Sequence, residues 1–195
     1  MQGVIGDYFE GHRRMLDVAA EQLPLEIEQV AKVLIDALVD GRKVLIMGNG
    51  GSAADAQHFA AELVGRFLHQ RQGLPALALT TDSSILTAVG NDYGFRELFA
   101  RQVEALAASG DVVVGISTSG NSENVLRGFE VAKQRACRTV ALLGRDGGDI
   151  HGQVELALTV AVDQTPHIQE GHAVIIHLLC LLIDKAFSSR QGEKG

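Results

Sequence analysis

From Lys43 onward, short apolar runs alternate with longer segments of helical periodicity, and that rhythm admits few folds. Val44-Leu45-Ile46-Met47, Val112-Val113-Val114 and Val140-Ala141-Leu142-Leu143 are apolar at every position rather than every second one, the signature of strands covered on both faces. Strands are expected at 43–48, 75–80, 112–117, 139–144 and 154–162, with helices at 52–68, 84–90, 94–109, 121–136 and 165–187. Helical crossovers of this kind return each strand to the same end of a parallel sheet. The expectation is therefore an α/β fold with a five-stranded parallel sheet flanked by helices.

Residues 3–40 read as two helices. Ile27, Val30, Leu34, Ala37 and Leu38 recur at helical spacing between Pro24 and Gly41, which suit a helix start and stop. Tyr8, Phe9, Met15, Leu16 and Ala19 make a looser stripe ahead of them. No strand precedes these helices, so segment 1–41 is expected to pack on the body or on another subunit. Residues 42–188 then form one α/β domain, and 189–195 a polar tail.

Composition narrows the partners. A chain of 195 residues, 46% hydrophobic, supports one domain with a substantial core. Formal net charge is −7, no Lys/Arg cluster stands out and aromatic content is 5% with no Trp, so nucleic acid is not an expected partner. Cys137 and Cys180 stand apart and form no C-x-x-C, as buried free thiols in a reducing compartment do. The N-terminus has no basic region followed by an apolar core, and the longest apolar stretch, Ala173 to Ile183, is short of the ~20 residues a bilayer needs. A cytoplasmic protein without membrane contact is expected.

Two strand ends carry matching chemistry. The first strand ends in Gly48-Asn49-Gly50-Gly51-Ser52, the third in Ser117-Thr118-Ser119-Gly120-Asn121-Ser122, where an open parallel sheet binds its ligands. The second run places hydroxyls, a Gly and backbone N–H groups at the positive end of a helix, which suits a phosphate monoester as well as it suits a capped turn. The first run is neither a Walker loop nor an in-frame G-x-G-x-x-G, so a nucleotide is not indicated. A third glycine loop, Gly144 to Asp149, carries two Asp residues and reads as structural.

His58 and Glu62, four apart, fall on one helical face, where they can act as acid and base or as two ligands of a metal such as zinc. Glu62 stands among Phe59, Ala60, Ala61, Leu63 and Val64, so it is expected in a mostly buried segment. His177, amid Ile175, Ile176, Leu178 and Leu179, is expected in apolar surroundings that favour its neutral form. Gln169 and His177 lie about 12 Å apart and about 80° out of line on a straight helix. Sharing one ion would take a frayed first turn at Gln169, a His177 that leans toward the N-terminus, or different subunits.

Taken in order, Gly48 to Ser52, His58-Phe59-Ala60-Ala61-Glu62-Leu63, Gly90-Asn91-Asp92-Tyr93-Gly94-Phe95, Ser117 to Ser122, and Ile168-Gln169-Glu170 followed by His177 resemble the sugar-isomerase (SIS) superfamily. More narrowly, they resemble its bacterial phosphoheptose isomerases, over almost the whole chain. The resemblance implies a flavodoxin-like single domain and a homotetramer with active sites at subunit interfaces, which would give the N-terminal helices a partner. The implied reaction converts sedoheptulose 7-phosphate to D-glycero-D-manno-heptose 7-phosphate through an enediol, the first step of ADP-heptose and lipopolysaccharide core heptose biosynthesis. It also implies a phosphate site at Ser117, Thr118, Ser119 and Ser122, with Asn49, Gly50, Gly51, Glu62, Asn91, Asp92 and Gln169 along the substrate. Zinc would be held by His58, Glu62, Gln169 and His177, and Glu62 and His177 match the family's catalytic pair. His167 departs from the Arg that often precedes the Ile-Gln-Glu run, which puts a weaker cation where substrate contacts are expected. A rival is a non-catalytic SIS relative that binds the bacterial replication initiator, but that relative lacks the acid and histidine kept here as Glu62 and His177.

Overall fold

The computed structural model describes residues 1–192, with side chains to Ser188. Two helices, α1 (Gln2–Gln22) and α2 (Pro24–Val39), precede β1 (Val44–Gly48), α3 (Gly51–Val64), β2 (Ala76–Ala78) and α4 (Ser83–Asp92). After a 3-10 turn at Phe95–Glu97 come α5 (Leu98–Leu106), β3 (Val112–Ser117), α6 (Glu123–Gln134), β4 (Arg138–Gly144), the short α7 (Gly148–His151), β5 (Leu156–Val160) and α8 (Thr165–Gly192). All strand pairs are parallel, in the order β2-β1-β3-β4-β5.

The continuous apolar runs are explained by two cores, one on each face of the sheet. Val44, Ile46, Val112, Val114, Ile116, Val140 and Leu142 meet α2, α3 and α8, while Leu45, Met47, Val113, Ala141 and Leu143 meet α5 and α6. Successive residues of a strand point to opposite faces, so a strand wetted on neither face has no place for a polar residue.

Element ends follow local chemistry. The second strand is shorter than the expected 75–80 because the Asp82 carboxylate accepts from Ile85 N at 2.9 Å and starts α4. The expected helix 94–109 divides because Gly94, at φ 85°, precedes a tighter turn. The expected 52–68 helix stops at Val64, and residues 65–75 cross back to the sheet as a loop. A buried Arg71–Asp184 pair clasps that loop to α8, with Nε to Oδ1 at 2.6 Å and both side chains fully buried.

By length and composition, the α8 stretch Thr165–Ser188 is apolar enough to cross a membrane. Here Ile168, Ile175, Ile176, Leu179, Cys180 and Ile183 lie in the core against the sheet. Of the N-terminal helices, α2 buries Ile27, Val30, Leu34, Ala37 and Leu38, whereas α1 buries Met15 and leaves Val4, Ile5 and Phe9 exposed.

Candidate active site

β1 and β3 are neighbours whose chains depart to opposite sides, so a crevice opens at their carboxyl ends. The two loops there are tied together. Asn49 and Asn124 exchange two side-chain hydrogen bonds, at 2.8 and 2.9 Å, joining the first glycine loop to the first turn of α6. Asn124 is buried, and sequence reasoning missed it although an amide inside an apolar helix face was a readable signal.

Along the third strand's loop, Ser117 Oγ lies 2.9 Å from Ser122 Oγ, and Ser117 is buried while Thr118, Ser119 and Ser122 are half-buried. Gly120 takes φ 67°, and a Cβ there would overlap the Gly147 carbonyl. The third glycine loop braces this cradle from behind: Ile150 N donates to the Gly120 carbonyl at 3.0 Å, and Asp149 N to Asn121 Oδ1 at 2.9 Å. The hydroxyls stand beside the N-terminal N–H groups of α6, an arrangement that can hold an anion.

Opposite, Gly50 at φ 56° caps α3, and the Gln169 amide packs so closely on Gly51 that a Cβ there would overlap it. About two to three turns further along α3, His58 Nε2 lies 3.2 Å from Glu62 Oε1. The His177 ring meets His58 edge-on, with centroids 5.0 Å apart, and stacks on Phe67 at 5.5 Å and 20°. The structure thus gathers His58, Glu62 and His177 at one place and sets Gln169 at the other end of α3. Asn91 and Asp92 are exposed at the end of α4 and bonded to each other at 2.7 Å, with no described contact to the cradle.

Two expectations are corrected. His177 is exposed rather than enclosed by apolar groups, because Ile175, Ile176, Leu179 and Cys180 occupy the sheet-facing side of α8 and helical rotation turns His177 outward. His167 is buried against Gly11 of α1, not presented to the cradle. Its Nδ1 lies 2.8 Å from Glu170 Oε2, which also meets His12 Nδ1 at 2.7 Å, while the Tyr8 hydroxyl donates to Oε1 at 2.6 Å. Burial opposes the Glu170 charge, but hydrogen bonds from His167, Tyr8 and His12 outweigh it and hold the carboxyl down at about 2. His12, His167 and Glu170 place their donor atoms within 4.8 Å of one another, a spacing at which a metal ion can be held.

The SIS domain family matches residues 7–144. A phosphoheptose isomerase of Geobacter sulfurreducens is 62% identical over 173 residues, covering 89% of this chain and 92% of its own. The solved phosphoheptose isomerase of Neisseria gonorrhoeae superposes with a TM-score of 0.90 at 45% identity, covering 94% of this chain and 98% of its own. That of Francisella tularensis gives 0.92 at 41%, with the same coverage. With the crevice, the hydroxyl cradle and the His58–Glu62–His177 group in the same fold, the chain belongs to the phosphoheptose isomerase family of SIS-domain proteins.

Proposed function

We propose that the chain interconverts sedoheptulose 7-phosphate and D-glycero-D-manno-heptose 7-phosphate, at the entry to ADP-heptose and lipopolysaccharide core heptose synthesis. The observation that carries this reading is the partly buried Glu62 carboxylate of α3, the helix that begins at the crevice, grouped with His58 on the same helix and His177 on α8. A non-catalytic anion-binding protein needs the cradle but has no use for that group.

Ser117, Thr118, Ser119 and Ser122 bind the 7-phosphate, and Asn49, Gly50, Gly51, Asn91, Asp92 and Gln169 line the sugar. Glu62 removes a proton from C1 of the ketose, leaving an enediol, and returns a proton to C2 to give the aldose. His177 carries the accompanying proton between the C1 and C2 oxygens. No atom is lost or gained.

The donor set of two imidazoles, a carboxylate and an amide oxygen suits zinc, and the 3.2 Å His58–Glu62 approach fits ligands that share one ion. His58, Glu62, Gln169 and His177 would hold it, and a bound zinc would polarise the sugar's carbonyl oxygen. Within one chain Gln169 sits at Gly51, apart from the other three donors, which supports a homotetramer whose sites are completed across subunit interfaces.

The test is turnover of sedoheptulose 7-phosphate by purified protein, with chelator and with added zinc. Product is expected, and Glu62→Gln should lower kcat by roughly 10²- to 10⁴-fold, the range for a general base. No product under either condition, or near-normal turnover by Glu62→Gln, overturns the reading.

A further inference from the structure

His177 is exposed, and among the described residues it makes two ring contacts and no hydrogen bond. An exposed imidazole without a hydrogen bond hops between rotamers in picoseconds to nanoseconds unless neighbouring rings or a bound ligand hold it, whereas proton transfer needs a fixed orientation. One of its contacts, Phe67, belongs to a loop, where side chains are ordinarily the most adaptable. This loop is not free to adapt. Leu68 N and His69 N, immediately after Phe67, donate to Asp184 Oδ2 at 2.8 and 2.9 Å. Asp184 Oδ1 takes the Arg71 Nε bond, and Arg71 in turn donates to the Leu63 carbonyl at 2.8 Å and the Glu62 carbonyl at 2.7 Å.

Asp184 lies seven residues after His177 on α8, about 20° around and about 10 Å along the helix, so anchor and histidine share one face. The clasp therefore runs from the backbone of Glu62, through Arg71 and Asp184, to the ring that lies flat on His177. We propose that Phe67 is a positioning residue for His177, its ring plane fixing the imidazole orientation and the Arg71–Asp184 pair fixing the ring. The inference rests on the isomerase reading, in which His177 moves the oxygen-borne proton. Two α-helices thereby acquire a fixed relation at the reacting groups without a direct bond between Glu62 and His177.

Phe67→Leu keeps an apolar side chain but removes the ring plane, and Phe67→Tyr keeps the plane. With sedoheptulose 7-phosphate, Phe67→Leu should lower kcat roughly tenfold or more with KM within about twofold, and Phe67→Tyr should restore it. Independently of turnover, the His177 ring protons should carry an upfield ring-current shift in nuclear magnetic resonance spectra, lost in Phe67→Leu and kept in Phe67→Tyr. Thermal unfolding checks that each variant is folded, and if Phe67→Leu is not, Phe67→Met makes the same comparison. Wild-type kcat in Phe67→Leu, together with His177 resonances that stay at their wild-type positions, overturns the inference. A wild-type protein without turnover overturns the isomerase reading instead, and the resonances alone then decide whether Phe67 orients His177.

Discussion

His172 and His177 stand five residues apart on one helix, and burial gives them opposite characters. His172 is fully buried, and desolvation pushes it down to about 4 from 6.5, against the opposing pull of the hydrogen bond its Nε2 donates to the Leu143 carbonyl at 2.9 Å. The folded state holds it neutral, and its contribution is complete above pH 6.5 and lost as pH falls toward 4, because unfolding then takes up a proton. That loss amounts to about 3 kcal/mol. Urea unfolding between pH 7 and 4 should show it, and His172→Gln, which keeps an N–H donor but does not titrate, should flatten the slope. Gly51 offers a second residue-level test. Gly51→Ala adds a methyl where only the mobile end of Gln169 must yield, at a helix start where Ala is favoured over Gly by about 0.5–1 kcal/mol. The thermal midpoint should hold or rise while kcat/KM with sedoheptulose 7-phosphate falls roughly tenfold, as Gln169 leaves its place. A fall in both would mean that Gly51 serves the fold and not the site.

At the scale of elements, the cradle depends on two loops that brace each other. Gly120→Ala meets a backbone carbonyl and a positive φ at once, so it should destabilise the protein by about 2 kcal/mol or more, measured by denaturant unfolding. The strands were legible because burial on both faces makes residues 44–47, 112–114 and 140–143 apolar at every position, and Gly and Ser at the ends of β1 and β3 marked the crevice. What was not legible came from contacts between elements distant in sequence. The face of α8 that holds His177 depends on which side of the helix finds the sheet, and a run as apolar as Ala173 to Ile183 does not declare that side. The burial of His167 depends on Gly11 of α1, far off in sequence, whose missing side chain leaves the ring a berth. Phe67, Arg71 and Asp184 gave no motif, though a carboxylate inside the apolar end of α8 was a sign of a buried partner.

For the whole molecule, the N-terminal helix is where large apolar side chains are left most open to solvent. Val4, Ile5 and Phe9 are 73, 57 and 57% exposed, an apolar surface that a second subunit would cover. If the proposed homotetramer uses it, Phe9→Glu should shift the sedimentation coefficient toward smaller species and lower turnover in proportion, with secondary structure unchanged by circular dichroism. An unchanged sedimentation coefficient would mean that this surface is not a subunit interface. The Arg71–Asp184 clasp has a consequence in time as well as space. During synthesis the glycine loop, the hydroxyl cradle and Glu62 all leave the ribosome before the segment that becomes α8, and domains fold as their chain emerges. Until Asp184 appears, Arg71 has no counter-ion and the loop bearing Phe67 has no anchor. The sheet face that Ile168, Ile175, Ile176 and Leu179 cover stays open over the same interval, so the domain closes only when its last helix is made.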